Sequence, residues 1–104
     1  MIPAGVRIFA FTETVDLRLS FDGLVRAVDE HLGEDATSGA LFVFLNKRCN
    51  RIKILWFDHN GFCILYKRLH RARFALPKSP GNGQLKATLT PEALAWMLRG
   101  IDRI

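Results

Sequence analysis

The sequence predicts an α+β fold: an antiparallel β-meander of about three to five strands, with a helix over about residues 15–32 and a C-terminal helix over about 91–101. Three observations predict it. Strand-like runs between residues 40 and 69 are separated by two turn-like segments. An apolar stripe with helical spacing precedes them, and a Thr-Pro-Glu helix start follows them.

The N-terminal part predicts one strand and one helix. Residues 7–12 are rich in types suited to a pleated surface and predict a short strand. The next apolar residues recur at spacings typical of one helical face. They are Leu17, Phe21, Leu24, Val25, Val28 and Leu32. Thr14 is placed to cap this helix, Asp16 suits the positive end of its dipole, and Gly33 is placed to end it.

The meander comprises three runs, residues 40–46, 51–57 and 62–69. The connections 47–50 and 58–61 have the Asn, Asp and Gly content of turns. Residues 73–76 and 85–89 predict further short strands, the latter at an edge. In the C-terminal helix, the buried side is expected to carry Leu94, Met97, Leu98 and Ile101.

Composition predicts one domain over residues 1–104. The chain is 49% hydrophobic and 24% charged, as is usual for a globular protein. No apolar run approaches the ~20 residues of a membrane span, and residues 1–7 lack the layout of a signal peptide. Two cysteines, Cys49 and Cys63, suit a reducing compartment. We therefore expect a cytoplasmic protein with no membrane partner and no cofactor.

Positive charge is concentrated in one stretch. Of the 15 Lys and Arg residues, eight lie between Lys47 and Arg73, with one of the ten acids, Asp58. Aromatic residues occur within the same stretch. This combination is typical of a surface that contacts nucleic acid. The alternative is a solvated strand pair that its charges keep in solution.

Alternation along the strands assigns the residues to two faces, with Asn46 opposite Arg51 and Phe57 opposite Phe62. One face is a core face, interrupted by Lys67. The other face mixes aromatic, apolar and basic side chains. They are Phe42, Phe44, Asn46, Arg51, Lys53, Leu55, Phe57, Phe62, Ile64, Tyr66 and Arg68. This face could stack bases and hold phosphates. Alternatively, its large apolar residues form a second core under the C-terminal helix, with the charges at its rim.

The candidate DNA contacts are the eight cations of the basic stretch, and Phe57 and Tyr66 are possible stacking residues. The cations are Lys47, Arg48, Arg51, Lys53, Lys67, Arg68, Arg71 and Arg73. We predict no metal site, because the cysteines and histidines lack ligand spacing. We predict no catalytic site either, because Asp16 and Asp22 lie on different sides of a helix and no nucleophile motif occurs.

Several segments also resemble a known family. They are Asp16-Leu17-Arg18, Phe21-Asp22-Gly23-Leu24, residues 39–44, residues 51–58, Gly61-Phe62, residues 65–69, Leu89-Thr90-Pro91 and residues 98–102. In this order they resemble TnpB, the small accessory protein encoded by the second reading frame of bacterial insertion sequences of the IS sixty-six group. Leu19 departs from the family, which usually has a basic residue there, so no phosphate contact is placed at the start of the first helix.

The resemblance implies a non-catalytic accessory protein of DNA transposition, encoded beside a separate, large transposase. Its expected partners are DNA, as element ends or an excised intermediate, and that transposase. It would be associated with the bacterial nucleoid, and a homo-oligomer is possible. The alternative is a protein–protein adaptor that docks on the transposase or a host factor without binding DNA, through a patch of Phe42, Phe44, Leu55 and Ile64.

Overall fold

A five-stranded mixed sheet lies at the centre of the computed structural model, which describes residues 5–102. The prediction that residues 1–7 are not a signal peptide falls partly on residues 1–4, which lie outside the described residues. The elements are β1 (Ile8–Phe11), α1 (Phe21–Ala27), β2 (Leu41–Leu45), β3 (Arg51–Asp58), β4 (Gly61–Arg68), β5 (Ala72–Arg73), β6 (Lys86–Leu89), α2 (Pro91–Arg99) and β7 (Ile101–Asp102). The α+β class is confirmed.

The strand order in the sheet is β4-β3-β2-β1-β6. The β2-β3-β4 meander is antiparallel, and its register is the predicted one, with Phe57 opposite Phe62 and Arg51 opposite Arg68. The sheet also contains a parallel pair, β1 with β2, because α1 carries the chain back between them. The edge strand predicted at residues 85–89 is present as β6 and pairs with β1.

The first helix begins at Phe21, later than the predicted start near residue 15. Before it, the Val15 N–H still donates to the Leu45 carbonyl, so the chain is held at the sheet. The Asp16 carboxylate accepts from the Arg18 backbone N–H, a local bond that competes with helix formation. α1 continues into a π-helical turn, Val28–Leu32, and ends as predicted at Gly33, whose φ is +64°.

Both faces of the sheet are covered over β1, β2 and most of β3, whereas the second half of β4 is exposed. On one face, Phe9, Phe11, Phe42, Phe44 and Leu55 pack against the apolar side of α1 and its π-helical continuation. On the other face, strand residues pack against Phe74 and against Leu94 of α2. The sheet therefore lies between two layers.

The face predicted to mix aromatic, apolar and basic side chains is thus largely a second core. It is covered by α1, so the predicted cover by the C-terminal helix is wrong. Phe42, Phe44 and Leu55 are 0% exposed, and Ile64 is half-buried. The adaptor patch expected from these four residues is therefore wrong too. The cause is connectivity: the crossover from β1 to the parallel β2 places α1 on this side.

The C-terminal part begins as the sequence predicts. Thr90 caps α2, because its hydroxyl accepts from the Ala93 N–H, and Pro91 occupies the first turn. After α2, β7 pairs with β5 in a separate two-stranded sheet. Ile101 belongs to β7 and is 63% exposed, so its predicted place on the buried side of the helix is wrong. Within residues 5–102, neither helix has the length and apolar character to cross a bilayer.

Candidate nucleic-acid interface

Cationic segments meet at one end of the central sheet, which we call the basic end. It is defined by the β2–β3 turn (residues 47–50), the start of β3, the end of β4 and the following segment 69–74. Because β1 and β2 are parallel, the residues that follow β1 also reach this end, where the Val15 N–H donates to the Leu45 carbonyl. Loops at the carboxyl ends of parallel strands are common ligand sites.

The Asn46 side chain fixes the β2–β3 turn. Its Oδ1 accepts from the backbone N–H groups of Asn50 and Arg51, and its Nδ2 donates to Asn50 Oδ1 at 2.7 Å. Cys49 completes the turn with a φ of +54°. The turn is also tied to the next segment, because the Leu69 N–H donates to the Asn50 carbonyl and the Phe74 N–H to the Cys49 carbonyl. Residues 69–74 are therefore held beside the turn.

Six of the eight candidate cations belong to this end and are exposed or half-exposed. They are Lys47, Arg48, Arg51, Arg68, Arg71 and Arg73. Arg51 and Arg68 are register partners and share the α1 side of the sheet, and Arg51 Nη1 donates to the Tyr66 hydroxyl at 3.0 Å. Arg73 is half-buried in β5 and donates to the Ala72 carbonyl.

The remaining two cations make internal hydrogen bonds. Lys53 is 8% exposed, and its Nζ donates to the Leu19 carbonyl at 2.7 Å while lying 4.9 Å from the centre of the Tyr66 ring. Lys67 lies on the α2 side of the sheet, and its Nζ donates to the Leu98 carbonyl at 2.7 Å. The eight cations therefore do not form one continuous surface.

The two possible stacking residues are far apart. Tyr66 is 50% exposed and lies beside Arg51 at the basic end. Phe57 is four residues along β3 from Lys53, the register partner of Tyr66, which is about 13 Å at the rise of a strand. There it makes an edge-to-face contact with Phe62, with ring centres 5.1 Å apart. Only Tyr66 is placed to act together with the cations of the basic end.

A polar notch opens at the basic end. It has a volume of about 420 Å³ and is lined by Asp16, Leu17, Arg18, Asn46, Arg48, Asn50, Arg51 and Tyr66. Arg18 was not among the sequence candidates, because it is distant in the chain from the basic stretch. Only the return of residues 15–19 to the end of the sheet brings it close.

Asp16 and Arg18 form a two-pronged ion pair in the notch. The Arg18 Nε and Nη2 groups donate to both carboxylate oxygens of Asp16, at 2.7–3.1 Å. These side-chain bonds and the backbone bond from Arg18 lower the pKa of Asp16 from 3.8 to about 2, and Asp16 raises the pKa of Arg18. The carboxylate is thus ionised at neutral pH and orients the guanidinium group.

Asp16 and Asp22 do not share a helix as predicted, because α1 begins only at Phe21. Asp16 is paired with Arg18 at the basic end, whereas Asp58 lies at the opposite end of β3. Within residues 5–102, no three His, Cys, Asp or Glu side chains are grouped as ligands for a metal ion.

The chain is similar to known proteins over almost its whole length. The family model described as "IS66 Orf2 like protein" matches residues 6–103. Among curated proteins of Sinorhizobium fredii (strain NBRC 101917 / NGR234), the uncharacterized protein y4hO is 36% identical, and the alignment covers 98% of this chain and 88% of that protein. The uncharacterized protein y4jC is 34% identical over 94% of this chain and 81% of its own length. No solved structure matches the chain significantly.

Proposed function

Because this chain belongs to the IS66 Orf2-like family, it is an accessory protein of an insertion sequence, and we propose that it acts by binding DNA, without a catalytic role. The observation that carries this proposal is the convergence of exposed or half-exposed arginines from three chain segments at the basic end. Arg48 comes from the β2–β3 turn, Arg68 from the end of β4, and Arg71 from the segment beside the turn. The DNA would be the element's ends or its excised intermediate.

The arrangement suits a phosphate backbone. Guanidinium groups bind phosphate oxygens through paired N–H donors and stay charged at any physiological pH. The residues 12–16 after β1 include two acids, the exposed Glu13 and Asp16, of which Asp16 is paired with Arg18. Several carboxylates instead belong to the π-helical turn and the loop that follows it. They are Asp29, Glu30, Glu34 and Asp35. This separation leaves the cations of the basic end available to a polyanion.

Lys53 and Lys67 would support the interface. The ammonium group of Lys53 is buried and holds the Leu19 carbonyl, so it adds positive potential beneath Tyr66 without contacting DNA directly. Lys67 would stabilise the end of α2. We therefore assign the phosphate contacts to Lys47, Arg48, Arg51, Arg68 and Arg71.

Duplex binding measured against salt concentration tests the proposal. We expect the affinity to fall steeply between about 50 and 200 mM salt. The slope of log affinity against log salt concentration is expected to become shallower by roughly one for each phosphate contact removed. The double variant Arg48→Gln/Arg68→Gln is expected to reduce both affinity and slope. Arg7→Gln/Arg26→Gln is the matched control, because it removes the same charge from exposed positions immediately before β1 and on α1.

Equal losses in the two double variants would show that net charge, not the basic end, governs binding. No binding by the unsubstituted chain at low salt would reject the proposed function.

A second candidate function, docking on the large transposase, is favoured by an apolar groove beside α2. The groove has a volume of about 560 Å³ and is lined by Ala75, Leu76, Pro77, Leu89, Ala93, Trp96, Met97, Gly100 and Ile101. Trp96 is 68% exposed, an unusual state for so large an apolar side chain. Exposed aromatic residues of this kind often anchor protein partners.

A pull-down with the transposase encoded by the same element tests this candidate. Trp96→Ala is expected to reduce capture of the transposase and to leave DNA binding unchanged, whereas Arg48→Gln/Arg68→Gln is expected to do the reverse. Capture that does not change with Trp96→Ala would exclude this groove as the contact.

A further inference from the structure

The notch at the basic end combines cations and an aromatic ring around a small recess. Its lining includes three guanidinium groups, those of Arg18, Arg48 and Arg51, but one carboxylate, Asp16. A volume of about 420 Å³ is within the size range of small-ligand sites. The recess is therefore suited to a compact anion with an attached ring system.

Two of the guanidinium groups each have a hydrogen-bond partner in the notch and keep other donors open. Arg18 uses Nε and Nη2 to bind Asp16, which leaves its Nη1 donors for a ligand. Arg51 uses Nη1 for the Tyr66 hydroxyl, which leaves its Nη2 donors. Both guanidinium groups therefore keep donors open to a phosphate, and the Arg18 side chain is 91% exposed.

Tyr66 provides a flat surface beside these donors. The buried ammonium group of Lys53 lies against the Tyr66 ring, 4.9 Å from the ring centre. The tyrosine residue as a whole is half-exposed. Lys53 is itself held by the Leu19 carbonyl, so the ring is supported from the protein side. A nucleobase could stack on the part of the ring that faces solvent.

We propose that the notch holds one unpaired nucleotide of DNA, with its base on Tyr66 and its phosphate among Arg18, Arg48 and Arg51. A base inside a duplex has both faces covered by its neighbours and cannot stack on a protein ring unless it leaves the stack. The notch would therefore favour DNA with a frayed or single-stranded segment over a continuous duplex. This inference rests on the proposed DNA binding and adds a preference for unpaired DNA.

Three fluorescent hairpin probes with the same duplex test it. The first is blunt, the second carries a short tail of ordinary nucleotides, and the third carries an abasic tail of the same length. The abasic tail has the same phosphates but no bases, so it separates stacking from charge. We expect the ordinary tail to be bound about tenfold more tightly than the abasic tail.

Substitutions at Tyr66 provide the second readout. Tyr66→Leu is expected to abolish the difference between the ordinary and abasic tails. Tyr66→Phe retains the ring and is expected to keep the difference. Arg68 lies outside the notch lining, so Arg68→Gln is expected to weaken the binding of all three probes equally.

Equal binding of the ordinary and abasic tails by the unsubstituted chain would overturn the notch inference and leave the proposed function standing. A difference that persists in Tyr66→Leu would also overturn it. If the unsubstituted chain binds none of the three probes, both the notch inference and the proposed function are overturned.

Discussion

The Lys67 ammonium group donates a 2.7 Å hydrogen bond to the backbone carbonyl of Leu98, in the last turn of α2. A cation at this position satisfies a helix-end carbonyl and interacts favourably with the helix dipole. Lys67→Met is therefore expected to lower the free energy of unfolding by about 1 kcal/mol. Urea unfolding followed by circular dichroism measures it.

Arg68 provides the matched control for Lys67. It is the next residue in β4, points to the opposite side of the sheet and is exposed. Arg68→Met is expected to change stability by less than about 0.5 kcal/mol. If both variants lose the same stability, the bond to Leu98 contributes nothing specific.

The meander could be predicted because its turns constrain the register. Asn46 and Arg51 bracket one turn and Asp58 and Gly61 the other, so the strand alternation assigns each residue to a face. The parallel pairing of β1 with β2 could not be predicted this way, since helical spacing in residues 17–32 does not reveal where the next strand inserts. For the same reason, the sequence did not show which helix covers Phe42 and Phe44.

The candidate site could be predicted in part. The hairpin register alone places Arg51 opposite Arg68, and the turn places Arg48 nearby. By contrast, Lys53 and Lys67 have the same charge as their neighbours, and their internal carbonyl partners lie more than 30 positions away in the chain. Contacts of such long sequence separation depend on the tertiary fold, and so does the position of Arg18.

Gly100, directly after α2, has a backbone conformation and a packed position that disfavour any side chain. Its φ of +75° with ψ of 171° is a conformation essentially confined to glycine. An added Cβ would also lie 2.6 Å from Leu69 Cδ1 and 3.3 Å from Ala72 Cβ. Gly100→Ala is therefore expected to destabilise the chain by about 3 kcal/mol, combining backbone strain and overpacking. Thermal unfolding gives the comparison.

Gly33 separates these two causes. It has a left-handed φ of +64° at the end of the first helical segment, and an added Cβ would meet nothing within 4 Å. Gly33→Ala is expected to cost about 1–2 kcal/mol, from backbone strain alone. A loss as large as that of Gly100→Ala would argue against the crowding at Gly100.

Phe44 tests the burial of the face that lies under α1. It is 0% exposed, and its ring centre is 5.0 Å from that of Phe11. Phe44→Ala is expected to destabilise the chain by about 3–5 kcal/mol, because it removes a large buried side chain and leaves a cavity. Tyr66→Ala, on the same face but half-exposed, is expected to cost about 1 kcal/mol. Similar losses from the two variants would contradict the position of α1.

The Asp16–Arg18 pair predicts a measurable acid titration. Hydrogen bonds from Arg18 lower the pKa of Asp16 to about 2, from an ordinary value of 3.8. A carboxyl group that is more acidic in the folded chain stabilises that state above its unfolded pKa, and this contribution is lost as the pH falls from about 3.8 toward 2. The carboxyl carbon of Asp16, followed by NMR across this range, should titrate near the lower value. Arg18→Gln should bring the midpoint back toward 3.8, because the main donors are removed; an unshifted midpoint would show that Arg18 does not hold this carboxylate.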